Sequence, residues 1–205
     1  KVIFPELIKK VKECATTNSK VVITVCGGSG VGKSEIASLL AHYFENMGVG
    51  CYTLSGDNYP HRIPVYNDAE RLRIFRESAI RGMITDGEYS FERFNIIHQY
   101  QLENKDSEPK NIVKYPWYES YIRNGAMGLQ GYLGTEKEIN FFEIQNIVKE
   151  FKSGAEKIWL KRMGREDTEL WYEEVDFSEK DILIIEWTHG NSKNYTGVDI
   201  PVLLN

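Results

Sequence analysis

The stretch Cys26-Gly27-Gly28-Ser29-Gly30-Val31-Gly32-Lys33-Ser34-Glu35-Ile36-Ala37 constrains this chain more than any other part of it. Four glycines, a lysine and a serine fall within eight residues, directly after the apolar run Val21-Val22-Ile23-Thr24-Val25. Each glycine loses more backbone freedom on folding than any other residue, so a merely flexible turn does not explain the cluster. The spacing Gly27-x4-Gly32-Lys33-Ser34 fits the phosphate-binding loop pattern without a mismatch. Its surroundings agree. A β-branched run precedes the loop, as a buried strand should. The segment that follows, Ser34 to Phe44, is expected to put Ile36, Leu39, Leu40 and Tyr43 on one helical face.

Such a loop has assignable parts. Bare N–H groups from Gly28 to Lys33 form a concave nest, and the helix N-terminus behind them adds partial positive charge. Lys33 is expected to reach the β- and γ-phosphates, and the Ser34 hydroxyl to ligate Mg²⁺. The loop residues Gly27, Gly28, Ser29, Gly30, Val31, Gly32, Lys33, Ser34 and Glu35 therefore form the expected nucleotide-binding set, with ATP and Mg²⁺ as cofactors.

Composition bounds the rest. The 205 residues, 41% of them hydrophobic, suit one globular domain with a real core. No apolar run approaches the ~20 residues of a membrane span. A net charge of −5 argues against a general nucleic-acid surface. The three cysteines have neither zinc spacing nor a disulfide frame, which suggests a reducing, cytoplasmic setting. A small-molecule acceptor is the expected partner, with no nucleic acid or membrane, and a homodimer is one arrangement the sequence allows.

The coarse order of elements is alternating. Helices are expected over Pro5–Glu13, 33–46, Asp68–Ser78 and Phe141–Lys152, the last ended by Ser153-Gly154. Strands are expected over 21–26, Cys51–Leu54, Ile158–Leu160 and Ile182–Ile185. This alternation implies an α/β fold of the P-loop NTPase type. It would have three layers, a largely parallel sheet, and ligands at the strands' C-terminal ends. Residues 83–135, rich in aromatics and glycines, read as a helical insertion within a single domain, either beside the acceptor or packed as a structural cap. The apolar run Val198–Leu204 stops one residue before the end, an unusual place for a core strand, so the chain is expected to be a fragment.

Three further features point from nucleotide binding to a reaction. Asp57, in the turn Ser55-Gly56-Asp57-Asn58-Tyr59 beyond strand two, could accept the proton of an attacking hydroxyl. Glu186 ends a buried strand, and a carboxylate there needs a positive partner, such as Mg²⁺ or an arginine. Cationic side chains gather nearby in sequence: His61, Arg62, Arg71, Arg73, Arg76, Lys161, Arg162 and Arg165. Arginine forks suit phosphate or carboxylate groups on an acceptor.

The phosphate loop, the Ser55–Tyr59 turn and Leu183-Ile184-Ile185-Glu186 together resemble the phosphoribulokinase/uridine kinase family of P-loop kinases. Members of that family carry an Asp-x-Phe-Tyr-like element after strand two and a strand ending in Glu-Gly. Phe141 through Ile158 is similar to the section between them. Two departures stand out: Trp187 occupies the position of the family's glycine, and 83–135 has no counterpart. Leu54–Asn58 followed by Asp68–Arg73 is locally similar to adenylylsulfate kinases, which carry a Gly-Asp-Asn turn and an arginine-bearing helix.

Both resemblances imply transfer of the ATP γ-phosphoryl group to a hydroxyl of a small molecule: a nucleoside, a sugar phosphate or adenylylsulfate. They imply Lys33, Asp57 and Glu186 as catalytic residues and Ser34, Asp57 and Glu186 around the metal. Asp57, Tyr59, Arg62, Arg71 and Arg162 would lie on the acceptor. Both families also close an arginine-bearing lid after the last strand, so a lid is expected to be absent from this chain. Two readings of another class compete, a regulatory NTPase and a non-catalytic nucleotide-binding module. For the first, Asn191-Ser192-Lys193-Asn194 is not the Asn-Lys-x-Asp guanine reader of GTPases.

Overall fold

Alternation within a single buried strand organises the first half of the molecule. In β1 (Val21–Gly27), Val21, Ile23 and Val25 face one side and Val22 the other, and all are buried. The structure is a computed structural model and describes residues 4–17 and 19–205. It divides into two compact units: the residues up to Ile63 together with Ile139–Asn205, and Pro64–Glu138.

The first unit is built on a four-stranded, all-parallel sheet in the order β2-β5-β1-β6. Its strands are β1, β2 (Cys51–Ser55), β5 (Ile182–Glu186) and β6 (Ile200–Leu204). On one face, Val21, Ile23, Val25, Ile182 and Ile184 pack against Leu7 and Val11 of α1 (Phe4–Thr17). Ala37, Leu40 and Phe44 of α2 (Lys33–Asn46) join them. On the other face, Val22, Leu54, Leu183 and Ile185 meet Ile144, Ile147, Val148 and Phe151 of α7 (Phe141–Lys152). These are the three layers of a P-loop NTPase-type α/β fold. Each fully buried Leu, Ile or Phe contributes about 2 kcal/mol of transfer free energy.

Helix ends follow local chemistry. Gly32, at φ 85°, is the left-handed residue from which α2 starts. Helix α7 starts on Asn140, whose side chain accepts from Glu143 N (3.2 Å) and donates to its carboxylate (3.0 Å). It ends, as the sequence indicates, at Ser153, with Gly154 at φ 81° and Ala155 N donating to Glu150 O (3.1 Å).

Three strand and helix assignments need correction. The Ile158 strand does not join the parallel sheet. It is β3 (Lys157–Met163), which pairs antiparallel with β4 (Leu170–Asp176), a strand the sequence did not announce. The buried face of α2 is Ala37, Leu40 and Phe44, because Leu39 and Tyr43 point outward at 53% and 36% exposure. The last apolar run is an edge strand and only Ile200 is buried in it; an edge also tolerates Pro201.

The second unit is helical: α3 (Pro64–Thr85), α4 (Phe91–Leu102), α5 (Asn111–Lys114) and α6 (Tyr118–Gln130). It begins at Pro64 rather than 83, because α3 is one continuous helix that opens on a proline, which is favourable in a first turn. Its core is Phe75, Ala79, Met83, Ile97, Tyr118 and Tyr121. Gly125 and Gly128 of this segment lie inside α6, against α3. A Cβ on Gly125 would lie 2.6 Å from the Phe75 ring, and one on Gly128 would lie 2.0 Å from Ser78 Oγ. The seam between α3 and α6 closes only because those positions are bare.

Candidate active site

The loop after β1 has the geometry that its residues suggest. Gly30 and Gly32 have φ of 76° and 85°, which other residues rarely adopt. A Cβ on Gly27 would sit 2.8 Å from the Leu204 carbonyl oxygen. Gly32 supplies no side-chain cap, so the first N–H groups of α2 open towards the loop. Lys33 Nζ folds over the loop and donates to Gly28 O at 2.7 Å. Gly28, Ser29, Gly30, Val31, Ser34 and Glu35 are exposed, so the nest opens to solvent.

The parallel register brings the other elements level with this loop. Glu186 pairs with Val25 on one side and Ser55 on the other, so β1, β2 and β5 deliver their C-terminal ends side by side. Burial, chiefly, pushes the Glu186 carboxyl above the ordinary range, and the Asp57 carboxylate pushes it further. Lys33 and a hydrogen bond with Ser34 pull it back, and Glu35 adds a small push upward. Lys33, Ser34 and Asp57 are thus each within electrostatic reach of Glu186. Cation binding would relieve the strain on Glu186.

The donor set fits a hard divalent ion, since a hydroxyl and two carboxylates offer only oxygen. Among the described residues, no three His, Cys, Asp or Glu side chains could hold a metal by themselves. A magnesium ion here would complete its shell with phosphate oxygens and water, as that ion ordinarily does.

Trp187 has a physical explanation. A Cβ on Gly56 would lie 2.0 Å from Cγ of the Trp187 indole and 2.5 Å from its Cβ. The residue before Asp57 therefore packs on the residue after Glu186. Trp187 is 2% exposed, packs on the Phe141 ring at 5.5 Å, and donates its backbone N–H to Val25 O at 3.0 Å. The atoms met by such a Cβ are the root of the indole and cannot swing aside. Gly56→Ala is expected to lower stability by about 3 kcal/mol. A urea titration would read this as a shifted midpoint at unchanged slope.

The candidate acceptor residues have separate surroundings. Tyr59 is fully buried with its hydroxyl unpartnered, and burial raises its pKa. Arg162 donates from Nε to Glu173 (2.9 Å) and from Nη2 to the Tyr52 hydroxyl (2.6 Å). Arg62 lies half-buried in the segment beyond the turn. In the helical unit, Arg71 holds Glu138 through Nε and Nη2 (2.7 and 2.6 Å) and Asp68 through Nη1 (3.1 Å). Arg73 is tied to Glu70 and Glu77, and Arg76 to the buried Asp106. Sequence reasoning missed Lys161 as a particular residue. It is only 6% exposed, and burial pulls its pKa below the lysine range against the field of Glu143.

Fold, loop and level strand ends define the P-loop class of α/β proteins. A family model described as Zeta toxin matches residues 5–82, which include the loop and the Asp57 turn. A protein of Mediterraneibacter gnavus described as bifunctional alpha-galactosidase/sucrose kinase AgaSK is 39% identical over 200 residues, covering 97% of this chain. The chain spans 16% of that relative's length.

Proposed function

We propose that this chain is a phosphotransferase that moves the γ-phosphoryl group of ATP onto a hydroxyl of an uncharged sugar. The convergence of Lys33, Ser34 and Asp57 on Glu186, at the level ends of three parallel strands, carries this reading. In it, Lys33 and the N–H nest hold the β- and γ-phosphates, and Asp57 takes the hydroxyl proton as the acceptor oxygen attacks phosphorus. The new P–O bond forms as the bond to ADP breaks. Ser34 would hold Mg²⁺, with Asp57 and Glu186 beside it; the ion neutralises phosphate charge.

The sugar acceptor rests on the relative, whose printed name includes sucrose kinase. Local charge supports an uncharged one. Arg162, the candidate clamp in the same unit as the loop, is engaged by Glu173 and the Tyr52 hydroxyl, so it has little charge to offer a sugar phosphate or a nucleotide sulfate. Uridine is a second uncharged acceptor, in line with the uridine kinase resemblance. The test is a panel of sucrose, glucose, fructose, uridine, fructose 6-phosphate and adenylylsulfate with radiolabelled ATP. Label on a neutral sugar is expected. Label confined to the anionic acceptors would overturn the uncharged reading, and ADP release with no labelled acceptor would favour a regulatory NTPase.

A further inference from the structure

Asp57 sits exposed in its turn, and among the described residues its carboxylate makes no hydrogen bond or ion pair. Its position therefore depends on the backbone that carries it. Each of the three residues after it is fastened from outside. Asn58 Oδ1 accepts from Met163 N at 3.0 Å, while its Nδ2 donates back to Ser55 O at 3.3 Å. Tyr59 O accepts from Asn140 N at 2.9 Å. Pro60 O accepts from Lys161 Nζ at 3.0 Å.

Lys161 is the unusual member of this set. An ammonium carries three donors, and the Pro60 carbonyl is its one hydrogen-bond partner among the described residues. No carboxylate of the described residues lies within ion-pair reach of it. Burial of an ammonium is costly unless it is well paired, and a methionine would fill the same space without that cost. What the nitrogen adds is its hold on the turn. The strand it projects from is firm, since Ile158 and Leu160 are buried in the core.

We propose that Lys161 and Asn58 are positioning residues, which fasten the Gly56–Pro60 turn to β3 and so fix the Asp57 carboxylate for transfer. This rests on the role proposed above for Asp57. The first test does not need activity. In the full chain carrying Lys161→Met, amide hydrogen exchange over 55–60 is expected to rise about tenfold, with 27–34 and 141–152 unchanged. Asn58→Ala should loosen the same amides, and it replaces Lys161→Met if that variant does not fold.

The second test is kinetic, with sucrose as acceptor. Lys161→Met is expected to lower kcat about tenfold, with KM for ATP unchanged. Added to Asp57→Asn, it should cause no further loss, because a residue that acts only through Asp57 has nothing left to position. Unchanged exchange over 55–60, or a further loss in the Asp57→Asn background, would overturn the proposal. If the wild-type chain phosphorylates no acceptor, the kinase reading fails, while the exchange measurement still decides the brace.

Discussion

Asp57→Asn is expected to leave MgATP affinity at the wild-type level and to slow phosphoryl transfer about 10³-fold. The amide has the shape of the carboxylate but does not take the hydroxyl proton. Since Asp57 is exposed and makes no hydrogen bond or ion pair among the described residues, the substitution should change stability by no more than about 0.5 kcal/mol. Calorimetric titration with MgATP and a labelled-transfer assay separate the two effects. A further readout lies in Glu186, whose carboxyl the Asp57 charge pushes upward. In the variant its titration should move back towards the ordinary glutamate range. Full transfer activity in Asp57→Asn would remove the base assignment.

Lys33→Ala is the counterpart, with binding lost rather than chemistry. A charge-assisted grip on phosphate oxygens is worth about 2–3 kcal/mol, so MgATP affinity should fall about 100-fold. The lysine also spans the loop to Gly28 O at 2.7 Å, so its removal frees the nest as well as discharging it. Circular dichroism should be unchanged, since Lys33 lies in the first turn of a helix whose buried residues, Ala37, Leu40 and Phe44, stay in place. An affinity within about threefold of wild type, or 0.6 kcal/mol, would show that phosphate is not held there.

Much of this architecture was legible because local chemistry dictated it. Lys33 to Asn46 is helical from the residue the glycine loop implies, since Gly32 in the left-handed region can begin a helix but not continue one. Ile182–Ile185 reads as a strand buried on both faces, and it is one. Glu186 stood out because a lone carboxylate follows four apolar residues.

What stayed hidden depends on contacts distant in sequence. β4, Leu-Trp-Tyr-Glu-Glu-Val-Asp, has no alternation because nearly every residue in it is exposed, so no period could reveal it. The sequence gives no reason for Gly125 and Gly128 until the partner helix shows why a side chain would not fit. The cations of the α3 helix were visible, but their partners were not. Glu138 lies 67 positions from Arg71, and Asp106 lies 30 from Arg76. The Trp187 departure likewise needed Gly56 to make sense of it. Residue type revealed where charge was available; only the fold revealed which charge was already committed.

The pairing of β5 between β1 and β2 has a consequence for how the molecule comes to be competent. Slipping that central strand by one position would send the Glu186 carboxylate to the opposite face of the sheet and bring Ile185 or Trp187 level with the loop. A misregistered molecule could therefore be compact and still chemically silent. Under the proposed reaction, the contacts that align this strand are the same ones that ready the site for transfer.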